Sequence, residues 1–192
     1  MSKGLIIGII IALSFSLSGC GYNGLVEKDA TVQEKWGQVQ NQYQRRADLI
    51  PNLVRTVQGA ANFEKSTLTA VIEARAGATG MKISADQLTP ENIKKYQAAQ
   101  DQLSGSLSRL LAVAESYPQL RATQNFSELQ AQLEGTENRI TVARNDFNTV
   151  VKDYNVSVRS FPNNLTAGVF GFKAKGFFEA SQAAQNAPTV QF

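Results

Sequence analysis

The sequence contains no histidine and a single cysteine, Cys20. Without histidine the chain lacks the side chain that most readily exchanges protons near neutral pH, and also the commonest transition-metal ligand. One cysteine excludes an internal disulfide and any cysteine-based zinc site. Long runs of one charge are missing too. Net charge is +3, and setting aside a leader that contains Lys3 leaves 18 basic against 16 acidic side chains. A phosphate-neutralising surface needs clustered Lys and Arg, so no nucleic acid is expected as partner. No nucleophile stands beside a base that could activate it. No catalytic residue, metal ligand or cofactor is therefore assigned, and the chain is read as non-enzymatic.

The N-terminus carries the clearest signal. Met1-Ser2-Lys3 precedes an apolar run from Gly4 to Leu17 and then Leu17-Ser18-Gly19-Cys20. A basic start, a short apolar region and small residues before a cleavage point describe an export signal, and the run is short for a bilayer span of about 20 residues. Leu-Ser-Gly-Cys resembles the lipobox of bacterial lipoproteins, in which the thiol is acylated and the chain is cut just before it. Cys20 would then be the mature, palmitate-bearing N-terminus of a protein facing the periplasm or exterior. Gly21 rather than Asp after the cysteine favours the outer membrane in a diderm host. The alternative is an uncleaved, tilted membrane anchor.

Proline is scarce as well, with five in 192 residues at 51, 90, 118, 162 and 188, and these punctuate a helical pattern. From Leu25 to Gly77, Val32, Trp36, Val39, Tyr43, Ile50, Leu53, Val57, Ala60 and Val71 recur at threes and fours, with gaps near 46 and 64. Residues 77–89 read as a connection. Thr89-Pro90-Glu91 opens a second helix with an N-cap, a proline at the first helical position and an acid at the positive end of the dipole. Its buried stripe is Ile93, Tyr96, Leu103, Leu107, Leu110, Ala114 and Tyr117, ending at Pro118. A third helix carries Phe126, Leu129, Leu133, Ile140, Ala143, Phe147, Val150, Tyr154, Val158 and Phe161, closed by Pro162. No strand pattern is present.

The prediction is all-α: an elongated antiparallel bundle of three long helices plus a short C-terminal helix, of four-helix-bundle type, after an N-terminal signal or anchor segment. The boundaries are residues 1–19 for the signal, 20–180 for the bundle and 181–192 for a flexible tail. Phenylalanine clusters beyond residue 160, where a short helix and hook docked on an open end of the bundle is preferred over a recognition surface.

Several segments together resemble one family. They are Gln42-Tyr43-Gln44-Arg45-Arg46-Ala47-Asp48-Leu49-Ile50-Pro51-Asn52-Leu53-Val54, Glu73-Ala74-Arg75-Ala76, Leu133-Glu134-Gly135-Thr136-Glu137-Asn138-Arg139-Ile140-Thr141-Val142-Ala143-Arg144, Asp153-Tyr154-Asn155 and Phe161-Pro162-Asn163-Asn164. In this order, from Leu25 to Glu179, they resemble the LemA family. That resemblance implies a helical bundle outside the cytoplasmic membrane, its N-terminus at the membrane, with no established activity. It also suggests a TPM-domain or HtpX-like membrane protein as partner. The family usually has a plain transmembrane helix where Leu17 to Cys20 stand here.

Two motifs invite a physical reading. Pro51 has no amide hydrogen and its ring crowds the carbonyl of Ala47, so a continuing helix must kink and that carbonyl needs a donor, from Asn52 or a basic neighbour. Arg45 and Asp48 can pair across one turn. In the second motif, Gly135 weakens a helix and Thr136 stands where the stripe wants an apolar residue. Either Gly135 admits a close helix while Thr136, Glu137 and Arg139 bond across the bundle, or the site reaches outward. Glu134 and Glu137 could also bind a cation or shuttle protons, although such spacing is common on solvated helices.

The preferred function is a membrane-anchored envelope scaffold or adaptor that binds another envelope protein. Its candidate contact residues are Arg45, Arg46, Asp48, Pro51, Asn52, Glu134, Thr136, Glu137 and Arg139. Replacing Arg45 or Arg46 is expected to spare the fold and weaken partner capture. The alternatives are a carboxylate-dependent envelope enzyme and a self-associating coiled-coil spacer.

Overall fold

A computed structural model describes the backbone of residues 3–60 and 63–179, and the side chains of these from Gly21 onward. Expectations for the side chains of residues 1–20, the acylation of Cys20 among them, and for the 181–192 tail lie outside the described residues.

The apolar spacing at threes and fours produces helices, as expected. α1 spans Lys3–Gln58, α2 Lys65–Gly80, α3 Pro90–Ala114, α4 Pro118–Arg121, α5 Gln124–Arg159 and α6 Asn163–Phe170, with a 3₁₀ turn at Ala85–Gln87. No strand occurs among the described residues. The bundle holds four long helices rather than three, because the stretch predicted as one helix from 25 to 77 folds back between Gln58 and Lys65. A lone glycine at 59 left the periodic pattern on both sides of the turn intact. The expected connection is also shorter, since α2 runs through Gly77 to Gly80.

The helices run alternately up and down. α1 packs chiefly against α5, and α2 against α3. At the start of α3, Thr89 Oγ1 accepts the Asn92 amide at 3.3 Å, with Pro90 at the first helical position. α3 ends at Ala114, and Pro118 instead opens the single turn of α4. The 81–89 connection is fixed to α1 by Trp36 Nε1 and Gln40 Nε2, which both donate to the Ile83 carbonyl, at 3.0 and 3.1 Å.

The interior divides into two apolar clusters. The lower one gathers Trp36, Tyr43, Tyr96, Ile140, Phe147 and Tyr154, and the upper one Ile50, Leu53, Val71, Leu103, Leu110 and Leu133. Burying such side chains is the main source of stability in a bundle of this kind. Ile140 and Phe147 sit inside it as expected, whereas Phe161 is 81% exposed because α5 ends at Arg159 and the stripe no longer has a helix to follow.

After α6, Gly171 at φ +78° turns the chain through the left-handed region, which favours glycine. Residues 172–179 then form an extended strap along the lower bundle. Three side-chain carboxamides each clasp the N–H and C=O of one of its residues with a pair of hydrogen bonds. Asn155 holds Lys175, with both bonds at 2.8 Å. Asn148 holds Phe178 at 2.8 and 2.9 Å, and Gln97 holds Glu179 at 2.9 and 3.0 Å. The Phe178 ring stacks 6.1 Å from Trp36 and meets Phe147 edge-on at 5.5 Å. Lys175 Nζ adds an ion pair with Asp29 at 2.7 Å.

Candidate functional site

Between the two apolar clusters lies a polar layer built by all four long helices. On α1 the seam positions 39, 43, 46, 50 and 53 alternate by fours and threes, which aims Arg46 inward. Its side chain is 2% exposed. Nη1 donates to Ser104 Oγ at 2.5 Å and to Glu137 Oε2 at 2.9 Å. Nη2 donates to Gln100 O and Oε1, at 3.1 and 2.8 Å. The guanidinium also lies 5.1 Å from the centre of the Tyr43 ring. Gln100 Nε2 continues the network to the Ala78 carbonyl of α2 at 3.2 Å. Thr136, buried on α5 at the same level, turns its hydroxyl back to Gln132 O at 2.7 Å. A buried guanidinium is tolerable only when paired and hydrogen-bonded, and here its fork meets four oxygens.

This arrangement corrects part of the expected contact surface. Arg46 and Thr136 are interior and cannot meet a partner from outside: the fold occupies both terminal nitrogens of Arg46, while its buried Nε has no hydrogen-bond partner, and the Thr136 hydroxyl is bonded within its own helix. Removing Arg46 is therefore expected to damage the fold, contrary to the sequence expectation. Gly135 admits no close helix, since a Cβ there would meet nothing within 4 Å. The Arg45–Asp48 pairing is not what holds Asp48, whose Oδ1 accepts from Gln44 Nε2 at 2.7 Å. Glu134 and Glu137 have separate partners: Glu134 accepts from Gln130 Nε2 at 3.1 Å, while Glu137 faces Arg46 and, at 3.5 Å, Ser104. No group of three or more His, Cys, Asp or Glu placed to hold a metal ion occurs among the described residues.

Burial raises three tyrosines of the lower cluster above their ordinary range. Tyr43 and Tyr154 are pushed up to about 12, and Tyr96 is raised as well. These phenols stay neutral under any physiological condition and offer no ready proton donor.

The remaining candidates, Arg45, Asp48, Pro51, Asn52, Glu134, Glu137 and Arg139, are exposed on α1 and α5. Gln38, Arg45 and Asn52 repeat every seven residues on α1, as do Asn125, Gln132, Arg139 and Asp146 on α5. Seven residues are two helical turns, so each set forms one row. The two rows border an outward-facing groove along the α1/α5 seam. Its lower part, about 410 Å³, is lined by Gln38, Asn41, Gln42, Asn138, Arg139 and Val142. Its upper part, about 360 Å³, includes Asn52, Asn125 and Gln132. Gln42 Oε1 is buried there without a hydrogen-bond partner. Sequence reading picked out Asn52 and Arg139 but missed Gln38, Gln42 and Asn138; heptad spacing to Arg45 and Asn52 was the available signal for Gln38, whereas Gln42 and Asn138 stand outside both rows.

The LemA family model matches residues 35–192. Among relatives, the magnetosome protein MamQ 2 of Paramagnetospirillum magneticum is 28% identical over 179 residues, taking in 84% of this chain and 66% of the relative. MamQ of Magnetospirillum gryphiswaldense is 27% identical, with the same coverage. Protein LemA of Metamycoplasma hominis is 22% identical over 160 residues, taking in 83% of this chain and 69% of the relative. The chain thus spans just under two thirds of the length of the MamQ proteins it matches. With a family match running from the middle of α1 through the polar layer to the strap, the chain belongs to the LemA family.

Proposed function

We propose that this protein is a membrane-anchored scaffold or adaptor of the bacterial cell envelope, tethered through acylated Cys20, which binds a helix of another envelope protein along the α1/α5 groove. Membership of the LemA family supports a membrane-associated envelope protein. The observation that carries the adaptor reading is Gln42, whose buried carboxamide oxygen lacks a partner in a groove whose floor includes the exposed, apolar Val142. A buried acceptor left unpaired costs about 1–3 kcal/mol, which a donor from a docked helix would recover once the half-buried Gln42 side chain turns its carboxamide outward. An apolar side chain of the same helix would cover Val142. A TPM-domain or HtpX-like membrane protein is the partner class the family suggests.

Crosslinking in intact cells, followed by purification of the anchored protein, tests this reading. It predicts one envelope protein recovered with the wild type and lost with Val142→Glu. Recovery of copies of this chain alone would favour the spacer reading instead. Acyl labelling lost in Cys20→Ser supports the tether, and labelling retained in that variant contradicts it.

A further inference from the structure

The lower end of the bundle carries an apolar surface that the fold does not use. Ala167 is the side chain of α6 that is buried against the bundle. Leu165 and Val169, one turn apart, point away from it, and with Phe161 and Phe170 they are strongly exposed, Val169 to 81%. Two phenylalanines and two aliphatic side chains held together in water at one end of a molecule mark an interaction surface.

Two further observations say what covers it. α6 packs on α1 immediately after Cys20: a Cβ on Gly21 would lie 3.0 Å from Asn163 Oδ1, and Tyr22 meets Phe170 at 4.6 Å. α1 begins at Lys3, so the helical backbone of the apolar run Gly4 to Leu17 directly precedes this contact. α6 itself holds no charged residue, and the nearest on either side in sequence, Arg159 and Lys173, are both cationic and exposed. Apolar side chains flanked by basic ones suit the boundary between acyl chains and phosphate headgroups.

We propose that α6 with Phe161 is a membrane-resting foot: Phe161, Leu165, Val169 and Phe170 enter the bilayer interface beside the N-terminal tether, and Arg159 and Lys173 lie at the headgroup phosphates. The tether and the foot make two attachments on one rigid end, which holds the bundle upright on the surface and sets the height of the α1/α5 groove above it. The foot rests on the reading that the N-terminal segment anchors the chain.

The test uses the full chain reconstituted with vesicles of phosphatidylcholine and a minority of phosphatidylglycerol, their acyl chains brominated. Val169→Trp and Val142→Trp place an indole on the foot and on the exposed middle of α5, and Trp36, buried in the bundle, supplies a constant background. The foot predicts a blue shift and bromolipid quenching for the indole at 169, and emission at 142 unchanged by brominated lipid. Water-like emission at both positions on chains that float with the vesicles overturns the foot while leaving the tether standing. Chains that do not float overturn both. A blue shift at 169 that brominated lipid does not quench assigns the patch to protein contact and also overturns it.

Discussion

Arg75 Nε on α2 donates to the Ala47 carbonyl of α1 at 2.8 Å. This is the carbonyl that Pro51, lacking an amide hydrogen four residues on, leaves without its intrahelical donor. α1 continues through Pro51 to Gln58, and the gap in its ladder becomes the acceptor that ties α2 to it. Arg75→Ala is expected to cost about 1–3 kcal/mol, the range for stranding a part-buried acceptor. Pro51→Ala restores the intrahelical amide. In that background Arg75→Ala should cost clearly less, and the double-mutant cycle read by denaturant unfolding measures the difference. Equal costs in both backgrounds would show that the contact does not compensate for the proline.

The polar layer makes a second prediction. Arg46→Ala leaves the buried Gln100 Oε1 and Glu137 without the guanidinium and is expected to destabilise the bundle by about 1–3 kcal/mol, the range for stranding a buried acceptor. Arg46→Lys should recover only part of this, because a single ammonium cannot serve Ser104, Glu137 and both Gln100 oxygens as the fork does. Glu137→Gln should cost less than Arg46→Ala, since Glu137 is 52% exposed and water competes for its carboxylate. Thermal or urea unfolding ranks the three variants.

Local chemistry was legible and tertiary pairing was not. Thr89-Pro90-Glu91 announced the start of α3 because a cap needs only its own turn. The requirement for a donor at Ala47 was also readable from Pro51. Its identity was not, since Arg75 comes from another helix 28 residues later. Arg46 was misplaced although its signal was present: the α1 seam has a gap at 46, and a charge at a seam position is a buried charge. Gln100 and Thr136 interrupt their own seams at the same level. Each looks like a separate flaw in one helix, and only the assembled bundle shows one network. Several segments that carry the family resemblance thus supply interior contacts, Arg46 with Glu137, Arg75 with Ala47 and Asn155 with Lys175.

The strap should respond to changes at its clasps. Asn148→Ala removes both hydrogen bonds to Phe178, at about 1 kcal/mol each. Gly176→Ala would place a Cβ 2.7 Å from Pro90 Cα and 2.9 Å from Pro90 N, backbone that cannot swing aside. Both variants should speed tryptic cleavage at Lys173 and Lys175 while leaving the helical circular dichroism nearly unchanged. Cleavage at the wild-type rate would show that these contacts do not retain the strap.

Alkaline pH should unfold the protein through its buried phenols. Tyr43 and Tyr154 lie near an ordinary value of 10 when unfolded and are raised by burial to about 12 when folded, with Tyr96 also raised. The unfolded state therefore releases these protons first. Stability is fully present below pH 10 and falls as pH rises from about 10 to 12. Phenolate absorbance followed together with helicity checks this, because these three tyrosines should ionise only as helicity is lost. Their ionisation near pH 10 with helicity intact would contradict the assignment.

Position-specific photo-crosslinking in living cells tests most directly whether the α1/α5 groove, and not the polar layer within, meets a partner, with the crosslinker placed at Gln38 or Asn138 in the groove and at Arg109 on the exposed side of α3. A crosslink to one and the same envelope protein is expected from both groove positions and none from Arg109. Crosslinks from Arg109 with none from Gln38 or Asn138 would contradict it.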